Sequence, residues 1–115
     1  MGKLPAPARP LFWVGSSRKD YRDFPPAVQD SFGFELFLAQ LGGSGTVELV
    51  DDFDGDTYRA VYTVRYGTAV YVLHAFKKKS KRGIKTPQSD IDLIKQRLKT
   101  AEADHASRTK RESRK

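Results

Sequence analysis

Two neighbouring runs of strand-forming residues, Thr57–Tyr66 and Ala69–Phe76, constrain the fold more than any other feature of the chain. Both are rich in Tyr, Val and Thr, and Gly67-Thr68 lies between them, which reads as an antiparallel hairpin. With Gly67-Thr68 as a two-residue turn, Tyr66 faces Ala69, Val61 faces His74 and Arg59 faces Phe76. Arg59, Arg65, His74 and Phe76 then share one face. A three-residue loop shifts the pairing by one and carries His74 to the other face. Before the hairpin, Leu11-Phe12-Trp13-Val14 reads as a strand ending at Gly15, and Ser16-Ser17 caps a short helix over Arg18–Phe24. Pro25-Pro26 opens a second helix. On it Val28, Phe32, Leu36 and Ala39 recur at helical spacing, with Leu38 and Leu41 beside them in one broad buried face. Gly33 inside it marks a close packing contact, and Gly42-Gly43 ends it. Thr46–Val50 is a strand candidate, followed by an acidic turn, Asp51–Asp56. Thr86-Pro87 opens a last helix with Ile91, Ile94, Leu98 and Ala101 on one face. The order is β-α-α-β-β-β-α.

A chain of 115 residues suits one domain. We expect an arm over residues 1–9, a domain over 10–103 and a basic, flexible tail over 104–115. The absence of cysteine excludes a disulfide scaffold, a thiolate metal site and a cysteine nucleophile. No apolar run reaches the roughly 20 residues of a membrane helix, and the first ten residues lack the apolar centre of a signal peptide. The expected location is the cytoplasm, with no membrane partner. Charge is unevenly placed. Residues 1–76 hold 7 Lys/Arg and 9 Asp/Glu, whereas residues 77–115 hold 14 and 5. A cationic third on an otherwise slightly acidic chain points to a polyanion.

The hairpin face has a chemical logic. A fixed guanidinium such as Arg59 grips a phosphate with two hydrogen bonds. A histidine exchanges protons near neutrality, and Phe76 offers a ring to a base. Six of the nine residues from Lys77 to Lys85 are cationic and none is acidic. Alternation places Lys78 on the face of Arg59 and His74, at the scissile phosphate. Lys77 points the other way and, with Lys79, Lys81, Arg82, Lys85 and Arg65, serves RNA binding. These residue types suit metal-free RNA cleavage by attack of the ribose 2′-hydroxyl on the adjacent phosphate. The plainer readings are His74 as a core histidine, Phe76 as core and Arg59 as a partner of Asp54 or Asp56. No metal or cofactor is expected: His74 and His105 lie far apart, and the acidic turn lacks the glutamate that closes a calcium-binding loop.

Residues 55–102 resemble the C-terminal half of the RelE/HigB-like toxins of type II toxin–antitoxin modules, a group related to phage-encoded proteins. The resemblance rests on Tyr58-Arg59, Leu73-His74-Ala75-Phe76, Lys77-Lys78-Lys79 and Thr86-Pro87. It extends over about residues 10–103. It implies an α+β fold in which two N-terminal helices pack on a twisted, mostly antiparallel sheet, with a C-terminal helix. It implies a toxin that cleaves mRNA in the ribosomal A site, without metal, and inhibits translation. Arg59 is then the phosphate-binding catalytic residue, the basic residues at the end of the fourth strand correspond to Lys77, Lys78 and Lys79, His74 is an acid/base group, and a cognate antitoxin with a helix-turn-helix domain is the partner. The chain departs from this pattern where the acidic turn replaces a lysine pair before the third strand, and where no C-terminal catalytic tyrosine or histidine is evident. Toxins of the same fold that poison DNA gyrase through protein contact are the alternative, as is a member that only binds RNA or antitoxin.

Overall fold

The computed structural model describes residues 9–78 and 86–112. The chain runs β1 (Leu11–Trp13), α1 (Ser17–Arg22), α2 (Pro26–Leu41), β2 (Thr46–Phe53), β3 (Asp56–Thr63), β4 (Val70–Lys78) and α3 (Gln88–Glu112). This is the expected element order. The four strands form one sheet in the order β1-β4-β3-β2. Only β1 and β4 run parallel, so the sheet is mixed but mostly antiparallel. The arm over residues 1–8, and Lys79, Lys81, Arg82 and Lys85, lie outside the described residues.

Each face of the sheet is covered by helix. On one face Phe24, Val28 and Phe32 pack on Tyr58, Ala60 and Ala75, and Leu36 and Ala39 pack on Tyr62, Val64, Val70 and Val72. On the other, Ile94, Leu98 and Ala101 of α3 close over Val61, Ala69, Tyr71 and Leu73. Val70, Val72 and Leu73 are wholly buried, because β4 is central and covered on both sides. Gly33 packs where a Cβ would lie 3.1 Å from the Tyr21 hydroxyl, which is the close contact its place in a helix implied.

Two expectations are corrected. The tight hairpin turn lies at Asp54-Gly55, not at Gly67-Thr68. Phe53 pairs with Asp56, and the two residues between have φ of 51° and 84°. A type I′ turn between twisted strands requires the left-handed region at both positions, and Asp-Gly meets that demand. Gly-Thr suits the type II′ turn instead, which needs a positive φ at Gly67, and Gly67 has none. β3 therefore stops at Thr63, and residues 64–69 form a wider connection, with Val64 N–H donating to the Gly45 carbonyl and Ala69 N–H to that of Tyr66. The second correction concerns α2. Leu38 and Leu41 are exposed, not part of its buried face.

The wider connection does not cost the expected register at the far end of the hairpin. Thr63 pairs with Tyr71 and Tyr62 with Val72, but Val61 pairs with His74 and Arg59 with Phe76. Leu73 is the extra residue of a β-bulge. It places Leu73 and His74 on the same face, so the core stripe Ala69-Tyr71-Leu73 hands over to the polar stripe His74-Phe76-Lys78. α3 also runs further than expected. Residues 104–112, expected as part of a flexible tail, continue the helix, and Asp104 accepts from the Tyr71 hydroxyl at 2.7 Å and from Arg108 Nε at 2.7 Å.

Candidate functional site

Arg59 stands in the middle of the sheet, between Val50 of β2 and Phe76 of β4. It is 8% exposed. Its Nη1 donates to Glu48 Oε2 at 3.0 Å and reaches Thr86 Oγ1 at 3.4 Å, while Thr86 Oγ1 lies 3.5 Å from the same carboxylate oxygen. Glu48 shares the face of Arg59 because it lies two residues before Val50 on β2. Glu48, but not Arg59, lines an open cleft of about 650 Å³, bounded by Glu48 and Val61 on the sheet, Thr86, and Gln88, Ile91, Ile94 and Lys95 of α3. That size suits a small ligand or one nucleotide. A buried guanidinium needs a counter-charge. Glu48 supplies it, with its side chain 38% exposed and lining the cleft.

His74 is buried. Nε2 lies 2.7 Å from Asp90 Oδ1, and Nδ1 lies 3.5 Å from Arg97 Nη1. A carboxylate only accepts and a guanidinium only donates, so the neutral ring carries its proton on Nε2 and turns its lone pair toward Arg97. The imidazole stacks on Phe76 with ring centres 4.6 Å apart and planes 18° apart. Arg97 also donates to the Leu73 carbonyl at 2.9 Å and to Ser16 Oγ at 3.0 Å. The Ser16 hydroxyl donates to Asp20 at 2.8 Å. The backbone at Gly15, with φ of 58°, passes so close to Arg97 that a Cβ there would sit 2.8 Å from the guanidinium. One chain of polar contacts thus ties α3, the bulge of β4 and the β1–α1 turn together.

The structure brings Arg59, His74, Phe76 and Lys78 to one face, with Lys78 opposite Thr57. Lys77 lies on the other face, as alternation requires. Its ammonium is 3.2 Å from Asp56 Oδ2, and this hydrogen bond and charge hold its pKa above the ordinary value. Arg65 is not brought to the site. It lies in the β3–β4 connection, its guanidinium 5.9 Å from the centre of the Tyr66 ring. Arg59 is partnered by Glu48, whereas Asp56 pairs with Lys77. Sequence reasoning missed Glu48, Asp90 and Arg97. Asp90 and Arg97 stand seven residues apart, flanking Ile94 on the apolar stripe of α3. A charge within an apolar stripe is a signal of a buried partner. Glu48 carried the weaker signal of an acid at an alternate position of a strand.

A family model described as "Phage derived protein Gp49-like (DUF891)" matches residues 19–99. The matched span contains Glu48, Arg59, His74, Lys78, Asp90 and Arg97. No curated protein and no solved structure matches the chain. Among the described residues, no helix is long and apolar enough to cross a membrane.

Proposed function

Because the chain belongs to the phage-derived, Gp49-like family, a toxin-like family, we propose that it is the toxin of a type II toxin–antitoxin module, a RelE/HigB-like endoribonuclease that cleaves mRNA on the ribosome and so inhibits translation. The observation that carries this reading is the Glu48–Arg59 pair at 3.0 Å on the sheet face that also carries Phe76 and Lys78, with Glu48 lining the cleft against α3.

Its chemistry follows from the groups present. The Glu48 carboxylate takes the proton of a ribose 2′-hydroxyl, and the oxygen attacks the adjacent phosphorus. The P–O2′ bond forms as the P–O5′ bond breaks, leaving a 2′,3′-cyclic phosphate and a 5′-hydroxyl. The leaving O5′ takes its proton from Lys78 or water. Arg59, already oriented by Glu48 and Thr86, stabilises the charge on the phosphoryl oxygens, a role worth about 2.7–4 kcal/mol for one preorganised donor. We assign His74 to positioning: with both ring nitrogens engaged, it fixes Phe76 by stacking and ties the sheet to α3. The cationic residues after Phe76, among them Lys79, Lys81, Arg82 and Lys85, hold the RNA backbone. No metal enters this scheme. The antitoxin partner, with a helix-turn-helix domain, would cover the basic face with an acidic segment.

Induced expression with pulse labelling of protein and DNA synthesis tests the proposal. Translation should stop first, with new mRNA ends carrying 2′,3′-cyclic phosphate. Arg59→Ala should relieve the arrest while remaining folded. Loss of DNA synthesis before translation would overturn the nuclease reading in favour of gyrase poisoning.

A further inference from the structure

Helix α2 is apolar on two sides. Val28, Phe32, Leu36 and Ala39 face the sheet. The opposite side carries Phe34, Phe37, Leu38 and Leu41, exposed by 61, 52, 42 and 52%. A helix that is apolar all round is ordinarily buried all round. The outer side also has a period. Ala27, Ser31, Phe34, Leu38 and Leu41 are spaced four, three, four and three, the spacing of a coiled-coil seam about 21 Å long. A contiguous exposed stripe of this kind marks a contact surface.

Charge identifies the occupant. The positions flanking such a seam set partner choice; on α2 they are the buried Val28, the exposed Phe37, and two charged residues, Asp30 and Glu35. Residues 23–58 contain eight acidic residues and no lysine or arginine; the cation Arg9, which touches α2, is held at its C-terminal end by the Ala39 carbonyl at 2.8 Å. A second copy of α2 is therefore opposed in either direction. In parallel, Asp30 of one copy meets Glu35 of the other; in antiparallel, like acids meet like. We propose that the outer face of α2 docks an amphipathic helix of another protein, whose apolar seam is flanked by lysine or arginine. This face lies across the sheet from Arg59 and α3, so docking leaves the cationic face open. The inference does not depend on whether that face cleaves RNA.

The test uses the full chain and two designed peptides of three heptads, both with leucine at the seam, one with lysine and the other with glutamate at the flanks. Binding is read by fluorescence anisotropy at concentrations where each peptide alone is monomeric. The lysine peptide should bind at least tenfold tighter than the glutamate peptide. Phe34→Gln/Leu38→Gln should abolish that binding, and Asp30→Asn/Glu35→Gln should bring the two peptides to equal affinity. Three results would overturn the proposal. One is equal binding of both peptides to the unmodified chain or unchanged binding by the Phe34/Leu38 variant. Another is a dimer of the chain alone that the Phe34/Leu38 variant dissociates, which gives the face to a second copy. The third is a tenfold gain in peptide affinity on deleting residues 1–8, which gives it to this chain's own arm.

Discussion

A guanidinium buried beside a carboxylate has two uses, and Arg59 separates them experimentally. The pair tethers β2 to β3, so removing either partner affects stability. Removing Glu48 leaves a buried cation, although the carboxylate's own exposure reduces the cost. Glu48→Gln keeps a hydrogen-bond acceptor for Arg59 but removes the base. We expect it to fold with a transition midpoint close to that of the unmodified chain and to lose at least a hundredfold in cleavage rate at saturating RNA. His74→Ala should behave differently. It loses a stacked ring and its bond to Asp90, so the midpoint should fall, while the pH profile of the residual cleavage keeps its shape. A His74→Ala profile that lost one limb would return the histidine to acid–base chemistry. Tyr71 gives a prediction in another direction. Burial first, then its hydrogen bond to Asp104, push its phenol from the ordinary 10.0 up to about 12. Between these values the unfolded chain releases a proton that the fold retains, so stability is complete below pH 10 and falls as pH rises to about 12. Tyr71→Phe should shrink that fall in denaturant titrations. It should not abolish it, because burial raises Tyr21, Tyr62 and Tyr66 as well.

At the scale of elements, the two hairpins show which local signals decide a turn. Asp54-Gly55 and Gly67-Thr68 are both plausible two-residue turns, and only the first is used. Asp54 and Gly55 both take the left-handed backbone of a type I′ turn, whereas Gly67 does not take the positive φ that a type II′ turn needs. Gly55→Ala should therefore cost about 1 kcal/mol, as a non-glycine residue placed at φ of 84° does. Gly67 has no positive φ, and nothing lies within 4 Å of where an added Cβ would stand, so Gly67→Ala should be neutral or stabilise by about 0.4–1 kcal/mol. Equal losses in the two variants, read from urea midpoints, would contradict this assignment of the turns. The element order was legible because the period of the apolar residues changes from helical to alternating near Thr46. The pairing of Arg59 with Phe76 was legible only through a compensation: a wider connection shifts the register by one, and the bulge at Leu73 shifts it back. Nothing in the sequence marks Leu73 as the extra residue, since its type suits a paired strand equally well. The outer face of α2 escaped notice for a related reason. Leu38 and Leu41 are interleaved in sequence with the buried Leu36 and Ala39 but project to the opposite side of the helix, and apolar identity alone does not say which side of a helix finds a partner.

For the whole molecule, the segregation of charge is the property that sequence and structure express together. Residues 23–58 carry eight negative charges and no positive one, and they build α2, β2 and the acidic turn. Residues 77–115 carry fourteen positive and five negative, and they build the end of β4 and all of α3. The two sets are separated by the sheet over much of its width, because α2 and α3 cover opposite faces. On the proposed function, an RNA strand would be steered to one side of the molecule. Direct contacts and long-range field make different predictions for salt. A lysine that touches the strand releases a counterion when the RNA binds, and its loss lowers the slope of log affinity against log salt by about 0.7. A distant acid changes the field without changing the number of contacts. Lys95, at the edge of the cleft, should behave as a contact: Lys95→Gln should weaken RNA binding and lower the slope by about 0.7. Asp30→Asn/Glu35→Gln, on the far face, should leave the slope unchanged, with at most a small rise in affinity at low salt that disappears once the Debye length falls below about 8 Å. If the far-face variant changed the slope as much as Lys95→Gln, RNA would have to reach α2, and the separation of the two faces would fail.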